Sequence, residues 1–278
     1  MHCTLEVCVD STASALAAKR GGADRLELCA DLIIGGTTPS PALLRQVKAE
    51  TGLPVRALIR PRFGDFCYDR YELAQMAECA AELVAAGADG IVTGVLTPAG
   101  ALDTDALRPI YAAARQAAEK AHRTVDCTLH RAFDVCCGPF AALEAAKQLG
   151  LATILTSGQA ASAPQGAALL RQLVEAAGQE VEILVGAGVS AANIPALAAQ
   201  TGARAFHLSG KQVLDSRMTS RRDGQCQQLL VIPAAEQMPV AGKGTCQHTD
   251  RQRRKLHQHK IEPVQPLRHQ HYCQRQRH

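Results

Sequence analysis

The chain has 278 residues, of which 47% are apolar, 20% charged and 3% aromatic, and its formal net charge is +4. This composition supports a large buried core, and the absence of an apolar run of about 18 residues argues against a transmembrane helix. Aromatic residues are too few for a surface that stacks nucleic-acid bases. We therefore expect neither a membrane nor a nucleic acid as a partner.

The distribution of charge divides the chain into two parts, and the cysteine content suggests the compartment in which the protein lies. From Arg221 onward there are 11 Lys/Arg against 4 Asp/Glu, so the basic excess lies in the tail and the preceding residues form an ordinary acidic body. The 11 cysteines are an odd number without a CxxC pair, which is typical of a reduced protein. The opening residues lack the features of a secretory signal, so a cytoplasmic location is expected.

The first two predicted strands carry the same polar pattern. Side chains alternate between the two faces of a strand, so Glu6, Cys8 and Asp10 share one face, and Glu27 and Cys29 share the corresponding face of the next strand. The alternating apolar residues would face covering helices. Enclosed carboxylates and thiols are costly unless they are paired or bind something. This pattern therefore predicts a site inside the fold.

Short apolar strands then alternate with helical stretches along the body of the chain. Strands are predicted near residues 4–10, 25–29, 55–60, 90–95, 125–130, 152–156, 182–186 and 205–208. Helices are predicted near residues 11–21, 41–51, 70–86, 104–121, 139–149, 165–178 and 191–201. This count predicts an α/β fold, a (β/α)8 TIM barrel. An open doubly wound sheet is the alternative, but no GxGxxG motif follows the first strand.

Local signals indicate where the helices begin and end. Four of the predicted helix-to-strand joints contain a glycine suited to a positive φ, at Gly22, Gly87, Gly150 and Gly202. Ser40 followed by Pro41 predicts a helix start. The segment 162–165, Ser-Ala-Pro-Gln, predicts a capping box for the sixth helix.

Charged side chains at the strand ends predict a site at the C-terminal mouth of the barrel. Glu6, Glu27, Arg60 and His130 should project toward this mouth, where two acids, an arginine and a histidine can bind a ligand and move protons. A buried ion network that serves only stability is the alternative. No lysine lies within the first seven strands, which disfavours Schiff-base chemistry.

Further ligand-binding candidates follow the later strands. They are Arg62, Asp65, Asp134, Ser157, Gly186, Gly188 and Ser209. In many barrels the loops after strands seven and eight hold a phosphate, so the last three residues suggest an anion site. Glycines are equally needed for tight turns, and that explanation stays open.

The strand-end motifs together resemble one family, the CutC family of copper homeostasis proteins. The resemblance covers about residues 4–223 and is carried by motifs that include EVCVD at 6–10, GADRLELC at 22–29, GGTTPS at 35–40, IRPR at 59–62, TLHRAFD at 128–134, LTSG at 155–158 and GAG at 186–188. It implies a cytoplasmic, homo-oligomeric TIM barrel with a role in copper handling.

The resemblance also implies that Cys8 and Cys29 are copper ligands. Soft thiolates suit Cu(I), for which two ligands suffice. The alternative is that both are small buried apolar residues. We expect the protein to bind Cu(I), a small anionic ligand, or both at the mouth. The competing hypothesis is an enzyme that uses Glu6, Glu27, Arg60 and His130 on a small metabolite, with or without a phosphate group.

The resemblance stops where the composition changes, which predicts a barrel at 1–223 and an atypical basic tail at 224–278. The tail is rich in His, Gln and Arg, and no eighth amphipathic helix is recognisable in it. We expect the tail to be mostly irregular or weakly helical, with at most residues 229–232 packed over the seam between strands eight and one. A shift of reading frame near Gly224 would explain the change. A third hypothesis is that this tail binds an interaction partner.

Overall fold

A computed structural model describes residues 3–209 and the strands at 211–214 and 230–233. The strands of the main sheet are β1 Thr4–Val9, β2 Arg25–Leu28, β3 Val55–Leu58, β4 Gly90–Thr93, β5 Asp126–Leu129, β6 Thr153–Thr156, β7 Glu182–Val185 and β8 Ala205–Leu208. The α-helices are α1 Thr12–Arg20, α2 Pro41–Thr51, α3 Arg70–Ala85, α4 Thr104–Lys120, α5 Pro139–Gln148, α6 Ala167–Ala177 and α7 Ile194–Thr201.

The eight strands form a closed parallel barrel in chain order, which confirms the predicted TIM barrel. Closure comes from β1, which pairs with β2 on one side and with β8 on the other. In this register Glu6 lies opposite both Arg25 and His207. Among the described helices, none combines the length and apolar character needed to cross a membrane.

Alternation along the strands separates an apolar outer layer from a mixed interior. Outward residues such as Val7 and Leu26 are fully buried against the helices and belong to the main core. The inward residues include two small apolar groups, which are Cys29 with Leu58 and Val92, and Leu155 with Leu184 and Ala205. The other inward positions are largely polar. The barrel lumen therefore contains buried charges that need partners.

Most of the predicted helix ends are confirmed, with one exception. The joint glycines have positive φ, from 64° at Gly150 to 115° at Gly87. The Ser40 hydroxyl accepts a hydrogen bond from the backbone N–H of Leu43 and caps α2. The capping box predicted at 162–165 is wrong, because α6 begins later, after Gly166, and has no side-chain cap. Residues 162–166 form a turn in which the Ser162 carbonyl accepts two backbone hydrogen bonds.

Beyond the barrel the chain forms an antiparallel ribbon of β9, Lys211–Leu214, and β10, Leu230–Pro233. The backbone of β10 lies beside α1, and both strands belong to the same compact unit as the barrel. The stretch expected to pack near the seam, residues 229–232, therefore overlaps an extended strand. The rest of the predicted tail lies outside the described residues, so its irregular character stays a prediction.

Candidate functional site

Glu6 is the centre of a charge network inside the barrel. Its side chain is only 1% exposed and contacts Arg25 Nε at 2.6 Å, His207 Nδ1 at 2.9 Å and Arg56 Nη1 at 3.4 Å. Burial alone would raise the pKa of Glu6, but the hydrogen bond with His207 and the positive charges of Arg25, His207 and Arg56 outweigh it and lower the pKa to about 2. Glu6 is therefore an ionised, fully paired carboxylate.

Glu27 lies beside the same histidine in a less favourable environment. Its Oε2 is 3.4 Å from His207 Nε2. Burial raises the pKa of Glu27 to about 7, helped by the negative charge of Glu6 and opposed by His207 and Arg56. Burial would lower the pKa of His207, but the hydrogen bonds and charges of Cys8 and the two glutamates raise it well above its usual range. An imidazolium thus lies between the two acids.

The two glutamates and His207 are also a possible set of metal donors. One ligand atom from each lies within 4.8 Å of the others. In the described part of the chain these atoms are already paired with one another, and Glu6 is also paired with two arginines that have further acidic partners in Glu182 and Asp126. A hard cation would have to displace the proton and break the ion pairs of Glu6. The arrangement fits a self-neutralised charge network better than a metal centre.

Cys8 and Cys29 lie two residues beyond the glutamates on the same inward faces. Cys8 is the register partner of Glu27, and the Cys29 backbone N–H donates to the carbonyl of Val9. The side chains are nearly inaccessible, with Cys8 8% and Cys29 2% exposed. Burial raises the pKa of Cys29 well above its usual range, and the charges of Glu27, Cys8 and nearby acids raise it further. Cys8 therefore lies level with Glu27, and Cys29 lies above both acids, toward the C-terminal mouth.

Arg60 lies at the mouth and contacts backbone rather than acids. Its Nη1 donates to the carbonyl oxygens of Gly35 at 3.2 Å and Gly36 at 3.1 Å, and its Nη2 donates to that of Gly64 at 2.9 Å. The guanidinium carbon lies 5.2 Å from the centre of the Phe66 ring. The arginine thereby connects the β2–α2 and β3–α3 loops.

His130 lies on the other side of β4 and packs on the same aromatic ring. Its ring centre is 4.8 Å from that of Phe66, and its Nδ1 accepts a hydrogen bond from the Ala132 backbone N–H, which caps the 3₁₀ turn Arg131–Val135. Burial, followed by the charge of Arg60, lowers the pKa of His130 to about 3. The ring is therefore neutral near pH 7, with its proton on Nε2.

The four residues predicted to form one catalytic cluster divide into two groups. Within residues 3–209, no hydrogen bond or ion pair joins Glu6 or Glu27 to Arg60 or His130. The arginines that pair with Glu6 are Arg25 and Arg56, and the histidine is His207. Alternation could have identified Arg56, since it lies on the same face of β3 as Arg60. The predicted catalytic roles stay predictions.

The predicted ligand residues after β3 and β5 are occupied by contacts with each other and with neighbouring loops. Arg62 Nη2 contacts Asp65 at 3.0 Å, and Arg62 Nε contacts Glu72 of α3 at 2.6 Å. Asp134 accepts hydrogen bonds from the backbone N–H of Ser157 at 2.9 Å and from the Ser157 hydroxyl at 3.0 Å. These contacts anchor the loops of the mouth, and a role in ligand binding stays a prediction.

The glycines after β7 have structural reasons to be glycine. A Cβ at Gly186 would lie 2.6 Å from Leu155 Cδ1, and Gly188 has a φ of 68°. Ser209 directly follows β8 at the limit of the continuously described chain, and it is partly buried. Packing and turn geometry account for the two glycines, so the anion site suggested for these three residues stays a prediction.

Comparisons with known proteins agree on a family. A family model described as the CutC family matches residues 3–212. A CutC family protein of Xanthomonas campestris is 46% identical over 207 residues, which cover 74% of this chain and 83% of that protein. The human copper homeostasis protein cutC homolog is 41% identical over 217 residues, covering 78% and 77%. The solved structure of a copper homeostasis protein CutC from Streptococcus agalactiae is 29% identical, has a TM-score of 0.68, and is matched over 74% of this chain and 97% of its own.

Proposed function

The chain belongs to the CutC family, and on this premise we propose that it binds Cu(I) through the thiols of Cys8 and Cys29 inside the barrel. The observation that carries the proposal is the placement of two buried cysteines on the inward faces of the neighbouring strands β1 and β2, each two residues beyond an inward glutamate. Thiolates are soft ligands that favour Cu(I) over harder cations. The copper homeostasis names of the relatives support the same metal.

The surroundings of the thiols suit a monovalent cation. Glu6 lies below both thiols and Glu27 lies level with Cys8. The negative charges of these acids disfavour a free thiolate but are compatible with a thiolate neutralised by copper. Because burial raises the pKa of Cys29, the metal must displace a proton from this thiol. Copper binding should therefore release protons and become tighter as the pH rises.

The competing hypothesis of a metabolite enzyme has less support from the geometry. Its four residues lie in two groups, and Glu6 is neutralised by three cations. The residues that would carry an interaction through the basic tail lie outside the described part of the chain. A cytoplasmic location and a homo-oligomeric state stay predictions, as does the expectation that nucleic acid is not a partner.

The experiment is a Cu(I) titration of the full chain under reducing, oxygen-free conditions, against a chromogenic Cu(I) chelator. Wild type should take up about one Cu(I) per chain. Cys8→Ser or Cys29→Ser should weaken binding at least about tenfold, because a hydroxyl is a hard, poor donor for this ion. Cys127→Ser is the matched control, since Cys127 is 2% exposed but belongs to the core outside the barrel. Unchanged affinity in the Cys8→Ser/Cys29→Ser double variant would refute the proposal.

A further inference from the structure

The buried guanidinium of Arg60 has no acidic partner in residues 3–209. The residue is 8% exposed, and its guanidinium donates hydrogen bonds to three backbone carbonyls. Carbonyl dipoles and the Phe66 ring stabilise the cation in part, but they do not cancel its charge. Burying an uncompensated charge is costly, so buried arginines are normally paired. Either the protein tolerates this cost, or a ligand supplies the missing anion.

Two hydrogen-bond donors beside this charge also lack partners. Arg60 Nε and His130 Nε2 are fully buried, and neither has a hydrogen bond of normal geometry within the described chain. The Tyr68 hydroxyl, which is also buried and has no partner of normal geometry, interacts with the Arg60 side chain. Buried polar atoms without partners are uncommon, and each one suggests a missing water, ion or ligand. Arg60 and His130 continue the inward faces of β3 and β5, which are separated by one strand. Both donors therefore belong to the same side of the mouth.

The intervening strand allows His130 to lie close to Arg60. Gly94 follows β4, and a Cβ there would be only 2.7 Å from two ring atoms of His130. The imidazole consequently lies over the backbone of the fourth strand, toward the third. Phe66 packs against both groups, and the Arg60 charge lowers the pKa of His130. A further buried atom without a partner, Thr128 Oγ1, lies two residues before His130 on the same inward face.

We propose that Arg60 and His130 bind the carboxylate of a small organic monoanion at the mouth of the barrel. Arg60 supplies one positive charge and the N–H of its unpartnered Nε, while three of its four Nη hydrogens already bind the glycine carbonyls. His130 supplies a neutral N–H through Nε2. A carboxylate can accept one hydrogen bond from each donor. A phosphate dianion would keep one uncompensated negative charge here, because Arg60 supplies a single positive charge and neutral His130 supplies no positive charge. The site uses neither cysteine and does not depend on copper binding.

The test uses full-length protein, with acetate and pyruvate as probes and inorganic phosphate and sulfate as comparisons at constant ionic strength. Binding is followed by ligand-observed NMR and by calorimetry. Acetate or pyruvate should saturate a single site per chain. His130→Asn should weaken binding at least about tenfold, because a lost hydrogen bond to a charged group has an effect of this size. The asparagine oxygen can still accept from the Ala132 N–H, so this variant keeps the cap of the 3₁₀ turn.

Two further variants complete the test. Arg60→Met should also lose binding, and if it fails to fold, His130→Asn alone decides the outcome. Arg131→Gln is the matched control for charge, since it removes a positive charge already paired with Asp134 at the same mouth, and it should change affinity less than twofold. Unchanged carboxylate binding by His130→Asn, no saturable binding of either carboxylate, or tighter binding of phosphate or sulfate would each overturn the proposal. Cu(I) uptake by His130→Asn should remain that of wild type, which separates this site from the proposed copper site.

Discussion

Glu6 and Glu27 are both buried glutamates, yet opposite effects dominate their ionisation. Glu6 is paired with two arginines and His207, so its charge is stabilised despite burial. Within residues 3–209, the ion partner of Glu27 is the shared His207 at 3.4 Å, and burial outweighs the charges of His207 and Arg56. The difference follows from register, because Glu6 lies level with Arg25 and His207 while Glu27 lies one layer higher, level with Cys8.

Neutral amide substitutions should therefore have unequal effects. Glu6→Gln leaves Arg25 and Arg56 without their shared carboxylate and should lower the free energy of unfolding by about 3 kcal/mol. Glu27→Gln replaces a carboxyl group whose pKa is about 7, so this substitution should lower the free energy of unfolding by about 1 kcal/mol or less. Urea unfolding of both variants at pH 7 provides the comparison. Equal losses would contradict the assignment of Glu6 as the central ion.

His130 should make stability fall with acidification. The pKa of His130 is about 3 in the folded chain, against 6.5 as its ordinary value, so the unfolded state binds the extra proton between these values. The stabilisation is complete above pH 6.5 and is lost as the pH falls toward 3, with a slope of up to about 1.4 kcal/mol per pH unit. His130→Asn should show a flatter dependence in urea unfolding at several pH values. Parallel curves for the two proteins would show that this histidine is not buried as a neutral ring.

At the scale of elements, alternation and strand ends were sufficient to predict the barrel and the inward placement of Glu6, Cys8, Glu27 and Cys29. They could not predict which strand ends meet. Strands in a barrel are tilted and staggered, so residues at equal distances along distant strands lie at different heights. That is why Glu6 meets Arg56 rather than Arg60. Among the predicted helix starts, the one at 162–165 was wrong, because the sequence of this turn resembles a capping box while α6 begins after Gly166.

The fourth strand offers a test of the packing at the mouth. In Gly94→Ala the new Cβ would lie 2.7 Å from the His130 ring and must displace it. Overpacking of this kind should lower the free energy of unfolding by about 1–3 kcal/mol. Gly138→Ala is the control, because its nearest contact would be an ordinary 3.6 Å from Ala141 Cβ. Thermal unfolding that is the same for both variants would contradict the described position of His130.

For the whole molecule, the ribbon of β9 and β10 is the feature that follows the closed barrel. The composition of the sequence changes near residue 224, which could be predicted. A stretch as short as 229–232 has too little periodicity to predict which strand it pairs with or which helix it lies beside. The structure pairs β10 with β9 and places its backbone beside α1. The ribbon therefore belongs to the same compact unit as the barrel.

Two truncations should separate the ribbon from the remaining tail. A chain ending at residue 241 keeps β10 and should retain the free energy of unfolding of the full protein. A chain ending at residue 223 loses β10 and should be less stable by at least about 1 kcal/mol, since apolar surface on α1 becomes accessible. Chemical denaturation of the three proteins gives the answer. Equal stability of the two truncated chains would show that the ribbon contributes nothing.

Closure of the barrel through β1 and β8 also has a consequence for biosynthesis. Glu6 and His207 are 201 residues apart in sequence, yet they share a hydrogen bond of 2.9 Å. During translation the first strand leaves the ribosome long before the last, so a nascent chain has both cysteines while the histidine between the acids is still missing. Contacts over such sequence distances form late. Copper that meets an unfinished chain would find exposed thiols without their native electrostatic surroundings, so metal loading should follow release of the complete chain.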